Sequence, residues 1–262
     1  MAVHAHPDDE VIGTGGTLAR YSAEGVRTVL VTCTNGEQGD APGGIKPGEL
    51  GHDPALVASL RLNELKESVA HLGVSHLEVL GYPDSGMAGW SANDNASAFC
   101  NLPLSVAAEQ VAQLMLRYRP QVVVTYDDNG GYGHPDHIQA HRAAVAAAES
   151  TGVPEKLYYA ALPRSAFGQL RQQLESVGID STSFGVPEDF GVPDELVTTV
   201  IDVSAYVEPK RRALSAHASQ MDNFFFTQLP EEVLEVVLAR EWFTLRSGHA
   251  REAEDDLFAG LR

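Results

Sequence analysis

Residues 27–34 read Arg27-Thr28-Val29-Leu30-Val31-Thr32-Cys33-Thr34, a β-prone run without polar alternation. Such a strand is buried on both faces, as the inner strands of parallel sheets are. Outward from it, short β-branched runs alternate with helical patterns, the signature of βαβ units. Strands are predicted at 3–6, 76–80, 121–126, 156–162 and 196–203. Helices are predicted at 11–25, 55–73, 105–118, 136–150, 165–177, 209–220 and 230–240. The fold class is therefore α/β: an open, mostly parallel, Rossmann-like sheet with helices on both faces and a C-terminal elaboration. No Ser/Gly linker or charge block divides the chain. One domain over 1–262 is expected, with the sheet core in 1–162 and the elaboration in 163–262. A tandem echo, Phe184-Gly185-Val186-Pro187 and Phe190-Gly191-Val192-Pro193, is too short to mean a repeat architecture.

Composition narrows the function classes. The 262 residues carry 18 Lys and Arg against 36 Asp and Glu, a formal charge of −18. So acidic a surface repels phosphate backbones and anionic lipid, so no nucleic-acid or membrane partner is expected. Two cysteines, Cys33 and Cys100, make no disulfide framework and read as reduced thiols. The start lacks a basic segment followed by an apolar one, and no apolar run approaches the ~20 residues of a membrane span. A cytoplasmic protein is expected. Only five residues precede His6, an unusually short first strand, and leader residues are expected before Met1.

Three long loops, 35–54, 81–103 and 127–135, each follow a strand. In open parallel sheets ligands sit beyond the carboxyl ends of the strands, and long structureless stretches usually serve function. Two of the loop regions carry chemistry. His4-Ala5-His6-Pro7-Asp8-Asp9-Glu10 ends the first strand, and Tyr132-Gly133-His134-Pro135-Asp136-His137 follows the fourth. His6 and Asp9, three apart at a strand-to-helix turn, can point at one ion, with Asp8 beside it and free of it. Strands one and four would flank the switch point, so the clusters can meet. Together they offer two histidines, one aspartate and an open position, the pattern of a catalytic zinc. His4 faces the same way as His6 by strand alternation. It is either a hydrogen-bonding partner behind the ligands, the preferred reading, or an extra ligand.

Three familiar motifs fail. His137 and His141 stand four apart on one helix face, but a zincin needs Glu at 138 and the chain has Ile138. The metallo-β-lactamase pattern needs His where Asp9 stands. Gly13-Thr14-Gly15-Gly16-Thr17-Leu18 lacks the last small residue of a dinucleotide loop, and its glycines are read as close-packing positions of the first helix.

His6-Pro7-Asp8-Asp9-Glu10 together with His134-Pro135-Asp136-His137 resembles the LmbE-like (PIG-L) zinc N-deacetylase family. The resemblance covers nearly the whole chain. It takes in Thr34-Asn35-Gly36-Glu37-Gln38-Gly39, Arg61 to Leu65, Tyr82-Pro83-Asp84-Ser85-Gly86-Met87, Asn129 to Tyr132, Asp202-Val203, Lys210 and His217 to Gln220. The wording is most similar to the actinobacterial mycothiol branch, which holds both a deacetylase of N-acetylglucosaminyl-inositol and a conjugate amidase. Two departures, Gly13 where the amidase carries Lys and Gly133 where it carries Pro, favour the deacetylase.

The resemblance implies one zinc ion per chain held by His6, Asp9 and His137. It makes Asp8 the general base and places His134 and Tyr132 beside the amide carbonyl. Zinc-held water titrates near neutral pH and can attack an amide. Asp8 can take the proton and pass it to the leaving amine. The implied substrate is a small amino-sugar acetamide, with an amidase of thiol conjugates or secondary metabolites and a zinc hydratase as alternatives. A homo-oligomer is left open. Asp136 either orients a ligand histidine or begins the helix. Arg61 either binds a sugar or inositol hydroxyl or pairs with Glu64. Asp84 either accepts a sugar hydroxyl or closes an Asx turn. Met87 and Trp90 form an apolar rim or pack in the core. His217 is read as a surface helix residue, the alternative being a reach into the site. Residues 90–102 match nothing that can be placed.

Overall fold

The computed structural model describes residues 1–176, 178, 190–223, 229–249 and 254–261. Seven strands form one mixed sheet in the order β3-β2-β1-β4-β5-β7-β6. They are β1 (Ala2–His4), β2 (Val29–Thr34), β3 (His76–Tyr82), β4 (Val122–Thr125), β5 (Lys156–Ala161), β6 (Thr199–Asp202) and β7 (Arg240–Ser247). β1 lies parallel to β2 and to β4, so the chain reverses its direction of progress across the sheet between them. The expected flanking of the switch point by the first and fourth strands is met.

The helices are α1 (Asp9–Ile12), α2 (Gly15–Ala23), α3 (Pro54–His71), α4 (Leu104–Tyr118), a single turn α5 (Gly130–Gly133), α6 (Pro135–Thr151), α7 (Arg164–Ser176), α8 (Val207–Ala216) and α9 (Glu231–Leu238). Strand alternation sorts the layers. Val3, Val29, Val31 and Val123 pack with Val111 and Met115 of α4 and the alanines of α6. Ala2 and Leu30, on the opposite face, pack with Leu18, Leu65, Val69 and Leu214 of α2, α3 and α8. All six residues of β2 are buried, as its unbroken apolar run requires. None of the described helices is long and apolar enough to cross a membrane.

Local chemistry sets the helix ends that matter. α3 begins at Pro54, and the Asp53 carboxylate accepts the N–H groups of Ala55 and Leu56. α6 begins at Pro135, and His134 accepts the Asp136 N–H through Nδ1.

Three expectations are corrected. The helix expected over 11–25 is two helices. Thr14 turns its hydroxyl onto the Glu10 carbonyl, and Glu241 takes the N–H groups of Gly16 and Thr17 and so starts α2 afresh. The glycines do serve close packing on the sheet side: a Cβ at Gly16 would lie 2.5 Å from Val203, just after β6, and one at Gly13 would lie 3.4 Å from Ala160 of β5. The helix expected over 209–220 ends at Ala216, and a 3₁₀ stretch, Ala218–Asn223, follows. A strand not foreseen, β7, runs antiparallel between β5 and β6. Residues beyond 163 therefore widen the sheet itself by two strands. The first copy of the tandem echo, at 184–187, falls outside the described residues.

Candidate active site

The carboxyl ends of β1 and β4 bring the two clusters face to face. His6 Nδ1 lies 3.2 Å from Asp9 Oδ2 and 3.2 Å from His137 Nε2, and His137 Nε2 lies 3.3 Å from Asp9 Oδ1. An ion bound tetrahedrally by N and O at about 2.0–2.1 Å spaces its ligand atoms roughly 3.3 Å apart. The two ring nitrogens sit at the edge length of such a shell, and Asp9 brings one oxygen to that distance from each, Oδ2 from His6 and Oδ1 from His137.

Neighbouring hydrogen bonds fix which ring nitrogens face inward. His6 Nε2 points at Asp136 Oδ2 (3.2 Å) and Asp84 Oδ1 (3.4 Å), so that nitrogen carries the proton and Nδ1 keeps its lone pair. His137 Nδ1 donates to the Gly130 carbonyl at 3.1 Å, which leaves Nε2 bare. Gly130 has φ +65, and a Cβ there would sit 2.7 Å from the Cβ of His137. Only glycine allows this approach. The two nitrogens and the carboxylate face one point, a place that favours positive charge.

His134 also brings a nitrogen within 4.8 Å of donor atoms of His6 and His137, and with His6, Asp84 and Asp136 it makes a second cluster. Hydrogen bonds also engage the members of these groupings. His134 Nδ1 is occupied as an acceptor, so its neutral ring carries hydrogen on Nε2 and offers no lone pair. Asp136 is spent on the N–H groups of Ser85 and Cys100, and Asp84 on those of Gly86 and Gln38. Both carboxylates also face Nε2 of His6.

The electrostatics agree. Burial alone would lower the His6 pKa, but Asp84, Asp136 and Asp9 around the ring raise it well above its usual value. Burial would raise the Asp9 carboxyl, yet His137 and His6 hold it well below the carboxylate range. The pocket favours positive charge. His134, buried and beside two other imidazoles, is lowered to about 3 and stays neutral. Asp8 is pushed up to about 6, chiefly by burial, with Arg61 opposing.

Asp8 sits in a left-handed backbone, φ 111 and ψ −27. That costs on the order of 1–3 kcal/mol, and such strain gathers at functional sites. Arg61, buried, donates to its Oδ2 at 2.9 Å and to the carbonyls of Pro7 and Gly36, both at 2.6 Å. Arg61 does not pair with Glu64, which accepts instead from Ser219. Asp84 closes an Asx turn with Gly86 as well as facing His6. Met87 and Trp90 are 38% and 41% exposed, a rim rather than core, and Tyr132 is 52% exposed with its ring edge-on to His137. His4 reaches neither His6 nor Asp9. Its Nε2 meets Thr14 Oγ1 at 2.9 Å and its ring stands edge-on to Tyr126. His217 is a correction: it is fully buried, 2.7 Å from Glu10, and not on the surface.

Sequence reasoning missed Tyr126. Its hydroxyl donates to Asp9 Oδ2 at 2.7 Å and accepts the Ala5 N–H at 2.8 Å, while its ring stacks on His137 at 4.2 Å. A tyrosine at the carboxyl end of β4, next to the second cluster, was the available signal. Tyr126→Phe is expected to weaken divalent-ion affinity about 10- to 100-fold, the usual effect of losing a partner behind a ligand. Titration with a competing chelator measures it, and an unchanged affinity would mean that Asp9 needs no such support.

A family model, PIG-L (GlcNAc-PI de-N-acetylase), matches residues 1–148. A 1D-myo-inositol 2-acetamido-2-deoxy-alpha-D-glucopyranoside deacetylase of Acidothermus cellulolyticus is 45% identical, over 100% of this chain and 94% of the relative. The enzyme of the same name from Thermobifida fusca is 42% identical, over 99% and 98%. Among solved structures, N,N'-diacetylchitobiose deacetylase from Pyrococcus horikoshii superposes with TM-score 0.56 at 21% identity, covering 93% of this chain and 82% of that one. The 4-carboxy-2-hydroxymuconate hydratase GalB of Pseudomonas putida gives TM-score 0.58 at 17% identity, covering 96% and 97%. One fold thus hosts deacetylases and a hydratase, so the fold alone does not select the reaction.

Proposed function

The chain belongs to the PIG-L family, and from that premise we propose that it is a zinc-dependent N-deacetylase acting on the acetamide of an N-acetylglucosaminyl-inositol. The observation that carries this reading is the convergence of His6 Nδ1, Asp9 and His137 Nε2 at 3.2–3.3 Å with Asp8 left over beside them. The names of the relatives at 45% and 42% identity support the substrate class. His6, Asp9 and His137 would hold zinc, which when bound would supply Lewis acidity toward the amide carbonyl and a lowered pKa for water.

The remaining roles fall to the protein. Asp8 accepts the proton of the attacking water at its carboxylate and later gives it to the departing nitrogen, which leaves as an amine. Arg61 keeps that carboxylate turned toward the site. His134, neutral and hydrogen-bearing at Nε2, donates to the oxygen of the tetrahedral intermediate, and the Tyr132 ring lies edge-on to His134 and His137. One well-placed donor of this kind contributes about 3–4 kcal/mol. Asp84 and Asp136 hold the His6 ring, while Met87 and Trp90 offer apolar surface to the sugar.

The test is release of free amine from a panel of N-acetylglucosaminides by the zinc-loaded protein. Amine is expected, fastest from the inositol glycoside. A hydratase would release none, and no amine from any member despite bound zinc would overturn the reading.

A further inference from the structure

Among the described residues, only Asp8 and Arg119 are non-glycine residues with positive φ. Strained backbone persists only where its surroundings over-determine it, and two grips hold Asp8. Arg61 takes the carboxylate and the preceding carbonyl, of Pro7. The inner grip is Glu10, whose Oε2 accepts the Asp8 peptide N–H at 2.9 Å. Its Oε1 accepts the Ser68 hydroxyl at 2.5 Å and Nε2 of His217 at 2.7 Å. Glu10, Ser68 and His217 are all fully buried.

These partners come from distant parts of the chain. Ser68 lies on α3, the helix that also carries Arg61, and His217 follows the last residue of α8. Beyond His217, the N–H and hydroxyl of Ser219 donate to Glu64 of α3 at 2.8 and 2.7 Å. The Gln220 amide donates to the Asp40 carbonyl and accepts the Asp40 N–H, both at 3.1 Å. Residues 217–220 thus tie α8 to the turn after β1, to α3 and to the loop after β2. Of these contacts, those of Ser68 and His217 meet at Glu10, which alone reaches the peptide of Asp8, while the rest anchor the segment that carries His217.

We propose that Glu10 is a positioning residue for Asp8 and that His217 and Ser68 hold Glu10 in place for that task. The proposal rests on the reading of Asp8 as the proton carrier. Glu10 touches no reacting atom: its two oxygens face three donors, from Asp8, Ser68 and His217. Once Glu10 is replaced, the Asp8 peptide relaxes toward ordinary backbone angles and its carboxylate leaves the point where water and substrate meet. A displacement of about 1 Å can cost roughly 100-fold in rate.

The test compares Glu10→Gln, His217→Ala, His217→Gln and Ser68→Ala, each loaded with zinc. A glutamine at position 10 cannot serve three donors at once. Glu10→Gln and His217→Ala are expected to lower kcat about 10- to 100-fold, with KM within about twofold and zinc content unchanged. His217→Gln, which restores an N–H donor, recovers part of the loss. In an Asp8→Asn background, Glu10→Gln is expected to cost less than about twofold more, because residues acting as a unit are non-additive. Equal losses in both backgrounds would assign Glu10 a general structural role and overturn the proposal, as would an unchanged kcat. Should Glu10→Gln fail to fold, Ser68→Ala and His217→Gln carry the same comparison. Hydrogen exchange at the Asp8 amide gives a readout independent of substrate. It is expected to accelerate in Glu10→Gln, and unchanged exchange overturns the proposal. A wild-type protein that releases no amine overturns the deacetylase reading instead.

Discussion

Asp8→Asn is expected to keep its metal and lose at least about 100-fold in the rate of amine release. Asp8 supplies none of the converging donor atoms, which come from His6, Asp9 and His137. Asparagine suits the site because it tolerates left-handed backbone far better than most residues, and Asp8 needs φ 111. Its side-chain oxygen can still accept from Arg61. What disappears is a carboxylate able to take a proton from water and return it to the leaving nitrogen. Loss of a general base typically costs 100- to 10,000-fold, and 100-fold equals about 2.7 kcal/mol of barrier. His137→Ala provides the contrast: metal content and rate should fall together, because Nε2 of that ring is one of the three donors. Metal analysis beside amine-release kinetics separates the cases. Should Asp8→Asn lose its metal in proportion to its activity, Asp8 rather than Asp9 would be the ligand, and the division of labour between the adjacent carboxylates would be reversed.

Local patterns made the sheet legible. Apolar runs such as Val29–Thr34 have one physical use, and each predicted strand overlaps an observed one. The two His-Pro-Asp clusters were legible for a related reason, since dense titratable groups at strand ends seldom serve packing. What escaped depends on partners remote in sequence. The break between α1 and α2 has a local signal in Gly13, Thr14 and Gly15, but the acceptor that restarts α2 is Glu241, more than 220 residues away. β7 joins the sheet only because β5 and β6 leave an antiparallel slot between them. His217 reads as a surface residue on its own helix until Glu10 is placed opposite it. Arg61 and Glu64 have helix-pair spacing, yet each turns to a different partner, Asp8 and Ser219. Local spacing is a weak guide wherever buried charges find stronger distant partners.

Glu241→Ala is expected to destabilise the fold by about 3–5 kcal/mol, the cost of removing one member of a buried ion pair. Glu241 is 1% exposed and accepts from Lys210 Nζ at 2.6 Å and from the N–H groups of Gly16 and Thr17 at 2.8 Å each. Its loss leaves the buried Lys210 ammonium without this partner and strips two amides at the start of α2 of their acceptor. The reverse change should be milder. In Lys210→Met the Glu241 carboxylate keeps both amides and lies at a helix N-terminus, where negative charge is favoured by roughly 0.3–1 kcal/mol or more. The double variant, Glu241→Leu with Lys210→Met, removes both charges, and such swaps are often near neutral. Here the orphaned amides still cost about 1–3 kcal/mol, so its loss should fall between zero and that of Glu241→Ala. Urea unfolding with a constant denaturant slope measures all three. A Lys210→Met loss equal to that of Glu241→Ala would mean that the helix N-terminus contributes nothing and that the ion pair alone holds the join between β7 and α2. The same join carries α8, whose far end delivers His217 to Glu10.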